Sequence, residues 1–284
     1  MGMSVVEAAS GIYRIINSHM GDLIRKATVE KGYDPREFTL FAFGAAAPVH
    51  AGRYAAELGI KQIVIPLTAS VHGATGLVSS DVVYEYGRSD NLFVPADIRR
   101  INENFSVLVN KAIRSLGSAG FKNGNMSILR SLDMRYRNQV HELNVPLRPG
   151  VAEVSETEVE EAYARFDELY EQAYGPGAGY REAGKEIMVF RVVATGQLKK
   201  PNIRSYQKEN KSPDRGLKGE RPVYFEEYKE FVLTKIYEFG RLAPGSEVLG
   251  PAIIETPVTT MVINPRDRAA VDEFLNVRIY LQDS

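Results

Sequence analysis

The chain has 284 residues, 44% of them hydrophobic and 25% charged, an ordinary globular composition with length for two modest cores. A formal net charge of −1 excludes the electrostatic footprint of a nucleic-acid or anionic-membrane binder. Having no cysteine excludes disulfides, thiolate nucleophiles and Cys-type zinc sites, which suits a cytoplasmic protein, and no apolar run approaches the ~20 residues that span a bilayer.

Ser4 with Glu7 three residues on is a capping-box pattern. Ala8, Ile12, Ile15, Ile16, Met20, Leu23, Ile24 and Ala27 recur at three- and four-residue spacing, which predicts one long helix ending near Gly32. Met1-Gly2-Met3-Ser4 lacks the basic and apolar regions of a signal peptide, and a helix this early, with no strand before it, is expected of one part of something larger. After a turn at Asp34-Pro35-Arg36-Glu37, Thr39 to Phe43 is expected as a buried strand. Val49 to Leu58 follows as a helix stopped by Gly59, and Gln62 to Pro66 as a second short buried strand. That order is an α/β signature with parallel strands. Thr68 to Val83 reads as a loop closing into a helix, with Gly73 and Gly76 allowing close packing, and Pro95 to Leu116 as an amphipathic helix.

The character changes near residue 126. Ser127 to Tyr136 and Val140 to Val145 alternate polar and apolar residues, which predicts an antiparallel pair or a bent strand around Arg137-Asn138. Ser155 and Glu158 cap a helix to Tyr174, stopped by Gly175-Pro176-Gly177. Ile187 to Thr195 reads as a strand, Pro201 to Pro222 as a mobile surface loop, and Glu230–Tyr237, Ala252–Glu255, Thr259–Ile263 and Val277–Leu281 as further strands. A boundary is therefore expected at 118–125, with residues 1–120 α/β and residues 121–284 mainly β.

One turn is chemically informative. Gly44, Ala45, Ala46, Ala47, Pro48 and His50 sit between the first strand and its helix, where small side chains let a nucleotide reach backbone N–H groups. The same pattern also serves simple strand-to-helix packing. His50 could contact a nucleotide or a reacting carboxyl group, or could cap and pack. His19, His72 and His141 are scattered, so no metal site built by this chain alone is expected. Arg135, Tyr136, Gln139 and Glu142 look like an active-site set, or an internal ion-pair and hydrogen-bond network, and Asp133 and Glu255 carry the same two readings. No constellation of nucleophile, base and metal is complete, so the catalytic residues stay unassigned.

Several segments, in order, resemble one family. Gly44 to His50 is similar to its Gly-Gly-Ala-Gly-Pro-x-His-Ala turn, with Ala45 and Ala47 in place of two glycines. Asp133-Met134-Arg135-Tyr136-Arg137-Asn138-Gln139 with Glu142-Leu143 resembles its Asp-x-Arg-Tyr-x-Gly-Gln-x-x-Glu-Leu strand pair, Asn138 standing where the family has glycine. Gly250-Pro251-Ala252-Ile253-Ile254-Glu255 with Thr259-Thr260 resembles its close. The family is the hydantoinase A / 5-oxoprolinase group, and the likeness is greatest to a small subunit of an ATP-dependent acetophenone or acetone carboxylase. The resemblance implies an α/β lobe of an actin/hexokinase/Hsp70-like nucleotide-binding fold followed by a mainly β (α+β) C-terminal domain. It implies ATP and Mg2+ as cofactors, held mainly by or with a partner chain that carries the missing first lobe and its Asp-x-Gly-Gly-Thr motif, and a ketone with bicarbonate as substrates. It puts Gly44, Ala45, Ala46, Ala47, Pro48 and His50 against the nucleotide; a methyl at Ala45 or Ala47 would cost about 1 kcal/mol if its φ were positive. The alternatives are a non-catalytic scaffold subunit of the same complex and a component of an ATP-dependent hydantoinase or 5-oxoprolinase.

Overall fold

The computed structural model describes residues 2–209 and 212–282. In chain order the elements are α1 (Val5–Ala27), β1 (Leu40–Phe41), α2 (Ala47–Glu57), β2 (Gln62–Ile65), α3 (His72–Ser79), β3 (Val82–Phe93), α4 (Ile98–Ser118), β4 (Met126–Tyr136), β5 (Leu143–Pro146), α5 (Glu156–Tyr174) and β6 (Lys185–Gly196). They continue as β7 (Leu217–Phe225), β8 (Glu230–Glu238), β9 (Glu247–Leu249), β10 (Ala252–Glu255), β11 (Thr260–Ile263), β12 (Arg268–Val271) and β13 (Val277–Tyr280). The chain is mixed α/β and divides into two compact units, one from Met1–Val78 with Pro201–Ser284, the other from Ser79–Lys200.

The first unit is built on two sheets. One has the order β1-β2-β13-β12-β9, the other β11-β10-β8-β7. β1 and β2 pair in parallel as expected, but β13 then adds antiparallel to β2, so the last strand of the chain completes the first sheet. Ile63 and Ile65 of β2, Val277 and Ile279 of β13, Ile254 of β10 and Ile263 of β11 share one core with Ala51 and Ala55 of α2. Small residues let α2 come close: a Cβ on Gly52 would lie 2.4 Å from Asn264 Nδ2. Ser4 caps α1 in a complete box with Glu7. The expected buried strand at 39–43 is only two residues long, and Phe41 and Phe43 are exposed, because β1 is the outer strand of its sheet.

Asp267 is 6% exposed, and burial pushes its carboxyl up to about 6 despite hydrogen bonds from Gln282 N–H and Asn264. A carboxyl whose folded pKa lies above its ordinary 3.8 contributes stability that is full below about pH 3.8 and is lost as pH rises through 6. Between pH 4 and 7.5 the wild type should therefore lose about 2–3 kcal/mol through this group, and Asp267→Asn should remove that slope. Urea unfolding of both proteins across this range checks the sign; a wild type that gains stability through this window at the expense of the variant contradicts it.

The second unit is one antiparallel sheet, β3-β6-β4-β5. α4 and α5 supply its helical layer. Ile101, Phe105, Leu108, Ala112 and Leu116 of α4 and Val159, Ala162, Phe166 and Tyr170 of α5 recur at three- and four-residue steps and join the sheet's core. Phe105 meets Phe190 of β6 edge to face at 5.2 Å, and Tyr136 of β4 meets Phe166 at 4.9 Å. Asn138 has φ +65°, the left-handed backbone its family glycine position calls for. Ser155 accepts from Glu158 N–H, but the Glu158 carboxylate accepts from Arg148 N–H instead of closing the box.

The boundary expected at 118–125 does not coincide with the division between the units. α4 lies before it, yet its apolar face is buried on β3 and β6. Four strands escape the expected pattern, β3, β7, β9 and β12. β3 follows a Gly- and Ser-rich stretch that reads as loop. β7 lies within the loop expected over 201–222, of which residues 210 and 211 lie outside the described residues, and as the outer strand of its sheet it exposes Lys218, Glu220 and Arg221.

Candidate functional site

The small-residue turn joins β1 to α2. Gly44 has φ +96°, and it is the single positive-φ residue between 40 and 50. Ala45, Ala46 and Ala47 keep negative φ; Ala46, the residue before the helix, has φ −101° and ψ −30°. The methyl groups at Ala45 and Ala47 therefore strain nothing, and the one left-handed position is a glycine. Two hydrogen bonds fix the turn: Gly44 N–H donates to Ala69 O at 2.7 Å, and Thr259 Oγ1 donates to Ala45 O at 2.7 Å. Thr259 lies in the segment whose Thr-Thr pair the sequence singles out.

No side chain caps α2. Pro48 has no N–H, and Val49 N–H already donates to Ala46 O at 3.0 Å. Among the described residues Ala45, Ala46 and Ala47 N–H have no acceptor, so the turn is a platform of small residues that keeps three free backbone donors. His50 follows, half-buried, its ring stacked on Tyr13 of α1 at 5.1 Å and 23°. Burial holds its imidazole below the usual titration range. Asn17 of α1, buried, reaches His50 Nδ1 through Nδ2 at 3.2 Å. On the β1 side, Phe41, Phe43 and His72 form an aromatic cluster with centroids 5.1–6.3 Å apart.

Around this turn lies unusually apolar surface. α3 has no buried residue and exposes Leu77 and Val78; a Cβ on Gly73 or Gly76 would meet nothing within 4 Å, so the expected close packing there is not made within the described chain. α1 buries only Asn17 and Gly21, while Val5, Ile12, Ile15, Ile16 and Leu23 are exposed at helical spacing. A groove of about 440 Å³ separates the first turns of α1 from the β7–β8 hairpin, with Val5, Val6, Phe225 and Phe231 along it and Glu226 and Glu227 at its edge. Among the described residues no helix is long and apolar enough to cross a membrane, and no group of three His, Cys, Asp or Glu side chains could hold a metal ion.

Arg135, Tyr136, Gln139 and Glu142 lie in the second unit. Arg135 Nε donates to Glu186 at 2.7 Å. Tyr136, its hydroxyl held protonated by burial, donates to Asp167 at 2.7 Å, and Asp167 pairs with Lys185 at 2.8 Å. Gln139 Oε1 accepts from Tyr170 Oη at 2.6 Å. Asp133, 5% exposed, accepts from Arg191 and Asn144, and Glu142 lies on the same shallow groove. These contacts tie β4, β5, β6 and α5 together. In the first unit Glu255 accepts from Lys218 at 2.8 Å and pairs with Arg221 at 2.9 Å. Asn17, Tyr13 and Thr259 were not singled out as site residues. For Asn17 the available signal is an amide within the apolar face of α1, and for Thr259 the Thr-Thr motif.

Residues 1–86 match the family model described as hydantoinase/oxoprolinase, and residues 93–279 that of the hydantoinase/oxoprolinase C-terminal domain. The chain is 29% identical to the acetophenone carboxylase gamma subunit of Aromatoleum aromaticum over 96% of its own length. Its fold matches a nucleotide-free acetone carboxylase structure, from work on ATP-dependent acetone carboxylation, with a TM-score of 0.86 at 24% identity. It also matches the ATP-dependent caprolactamase of Pseudomonas jessenii with a TM-score of 0.70 at 26% identity. Each structural match covers 98% of this chain. The chain spans about two fifths of these relatives, 38% of the gamma subunit and 40% of each solved chain.

Proposed function

Because the chain belongs to the hydantoinase/oxoprolinase family, we propose that it is a subunit of a multi-subunit ATP-dependent carboxylase, acting on a ketone such as acetophenone or acetone with bicarbonate. In this reading Gly44–His50 is one wall of an ATP cleft in an actin/hexokinase-like lobe, and a partner chain carrying the rest of the family's length completes it. The observation that carries the reading is the apolar surface of α1 and α3 around an uncapped, small-residue turn. Nonpolar residues exposed at regular helical spacing mark a face that another polypeptide covers.

The residues of the turn fit a nucleotide. Ala45 and Ala46 are exposed and small enough for a flat ligand to approach the backbone, and Gly44 is open on its Cβ side. Ala45, Ala46 and Ala47 N–H are free among the described residues, so the turn offers backbone donors to an acceptor on the nucleotide, while Pro48 has none and Val49 N–H is engaged. When bound, ATP supplies a phosphoryl group that converts an oxygen of the substrate into a leaving group. This chain's part is to position: it offers the platform, the aromatic cluster beside it and the His50 imidazole. Mg2+ and the phosphate donors belong to the partner in this reading, since the described residues offer no carboxylate cluster for the ion.

Amide hydrolysis is the second reading, supported by the likeness to caprolactamase. It uses the same wall and differs in the substrate, which other parts of the complex select.

The test is ATP binding by the partner chain with and without this one. Binding is expected to tighten at least about 10-fold on assembly, a coupling of ~1.4 kcal/mol. Ala45→Gly with Ala47→Gly should leave that affinity unchanged, because neither φ is positive, while lowering stability by about 0.4–1 kcal/mol per site. An affinity of the partner that this chain does not alter defeats the nucleotide-wall reading.

A further inference from the structure

Nothing in the turn itself says which nitrogen of His50 carries the hydrogen; its neighbour on α1 does. Asn17 is 1% exposed. Its Nδ2 donates to Tyr13 O at 2.7 Å and also meets His50 Nδ1 at 3.2 Å. Both contacts are made from the same amide nitrogen. Turning the amide over would set Oδ1 against the carbonyl of Tyr13, two acceptors 2.7 Å apart, so the backbone fixes the NH2 group on this side. Facing an NH2 donor, Nδ1 must accept. Its hydrogen therefore sits on Nε2, which no hydrogen bond engages among the described residues.

We infer that Asn17 is a positioning residue that locks His50 as the neutral Nε2–H tautomer, so that the imidazole offers one hydrogen-bond donor and no charge at the start of α2. The ligand chemistry this suits is an uncharged acceptor, a ring nitrogen or sugar oxygen of a nucleoside; this last step rests on the nucleotide-wall reading above. Protonating His50 would put Nδ1–H against the amide hydrogens and break the contact, so the lock and burial act in the same direction. The groups around it leave this undisturbed. Tyr13, stacked on the ring, has its hydroxyl pushed up to about 12 by burial and by Glu227. Glu227 is paired with Arg53 at 3.7 Å, and Glu226 accepts from Ser10. Asn17 keeps a buried Oδ1 without a partner among the described residues. An unpaired buried acceptor is destabilising, a penalty that an apolar side chain of similar shape would avoid. Asparagine at this place serves the imidazole rather than the packing.

Long-range ¹H–¹⁵N NMR of the histidine-labelled 284-residue chain, with His50→Gln to assign the signal, tests the lock directly. The expected wild-type pattern is an unprotonated Nδ1 and a protonated Nε2 at pH 7. In Asn17→Asp the side chain loses its donor to Tyr13 O and must turn from that carbonyl; the carboxylate then accepts from Nδ1–H, reversing the tautomer and raising the His50 pKa by at least about one unit. A wild type that carries its hydrogen on Nδ1, or as a mixture, overturns the lock without recourse to any variant. ATP titration of the assembled complex then tests the role. Asn17→Asp should weaken binding about 10-fold, the effect of losing the one hydrogen bond that Nε2–H gives the ligand. If the wild-type complex binds ATP and Asn17→Asp binds it equally well, the positioning role fails; if the wild-type complex does not bind ATP, the nucleotide reading fails while the tautomer is judged by NMR alone.

Discussion

Gly250→Ala is expected to keep the chain from accumulating in folded form. Gly250 stands between β9, the last strand of the first sheet, and β10, which enters the second, so the two sheets of the first unit separate at this residue. Its N–H donates to Asp267 O at 2.9 Å. A Cβ here would lie 1.9 Å from Asn264 O, 2.8 Å from Asn264 C and 3.0 Å from Ile263 O. All three are backbone atoms at the end of β11, so no rotamer change relieves the clash. Relief requires moving β10 against β11, whose pairing from Ala252–Ile263 to Glu255–Thr260 is buried at Ile254 and Ile263. Displacements of that kind belong to the tail of point-mutant effects beyond about 4–5 kcal/mol, comparable to the whole stability of a domain. Gly240→Ala is the control: a Cβ there meets nothing within 4 Å, and the change should stay within about 0.5 kcal/mol. Soluble yield and thermal unfolding read both. A Gly250→Ala protein that melts within a few degrees of wild type would show the close approach to be unimportant.

The second large effect concerns association. Ile12→Lys with Leu23→Glu should abolish binding of the partner chain while leaving the isolated chain as stable as before. Both side chains are more than 60% exposed, so charge there disturbs no core. Their neighbours Ile15 and Ile16 complete a stripe on the side of α1 turned away from α2, where Asn17, Met20, Gly21 and Ile24 pack. Each buried apolar anchor in an interface is worth about 2 kcal/mol or more when lost. Two together weaken association by at least ~4 kcal/mol, about 1,000-fold. Co-purification and a titration with the partner chain measure it. Undiminished association would remove α1 from the interface and with it the main support for a partner-completed lobe.

Much of the fold was legible because local chemistry decides it. Ser4 and Glu7 cap α1, the steps of α4 and α5 give amphipathic helices, and the alternation of β4 and the apolar run of β6 give strands, each from a few neighbouring residues. The turn was legible too, since small residues between an apolar strand and a helix leave few other conformations. β7 was not, because an outer strand carrying Pro222 and several charges has no clean alternation. β9 and β12 are too short, three and four residues, to leave a period. In the site, Gly44 to His50 could be named from sequence, but the fear attached to Ala45 and Ala47 could not be settled there. Whether a methyl strains a turn depends on φ, and φ follows from how Ala69 and Thr259 hold the backbone.

Local spacing and residue identity were enough to read the Ser4 start of α1, the Gly175 stop of α5, the small-residue turn and the ordered motifs that assign the family, but not the end of α1, which falls at Ala27 and not near Gly32. The tertiary structure decided what those pieces are to one another. β13 closes the sheet that β1 and β2 begin, across about 200 residues, so the first unit is discontinuous and the chain passes between the units at 78–79 and 200–201. Asn17 meets His50 across 33 residues and sets its tautomer. Periodicity tells which face of an element is apolar but not which other face covers it; that choice is made by long-range packing, where any apolar surface of the right shape competes, and only the folded chain records which one won.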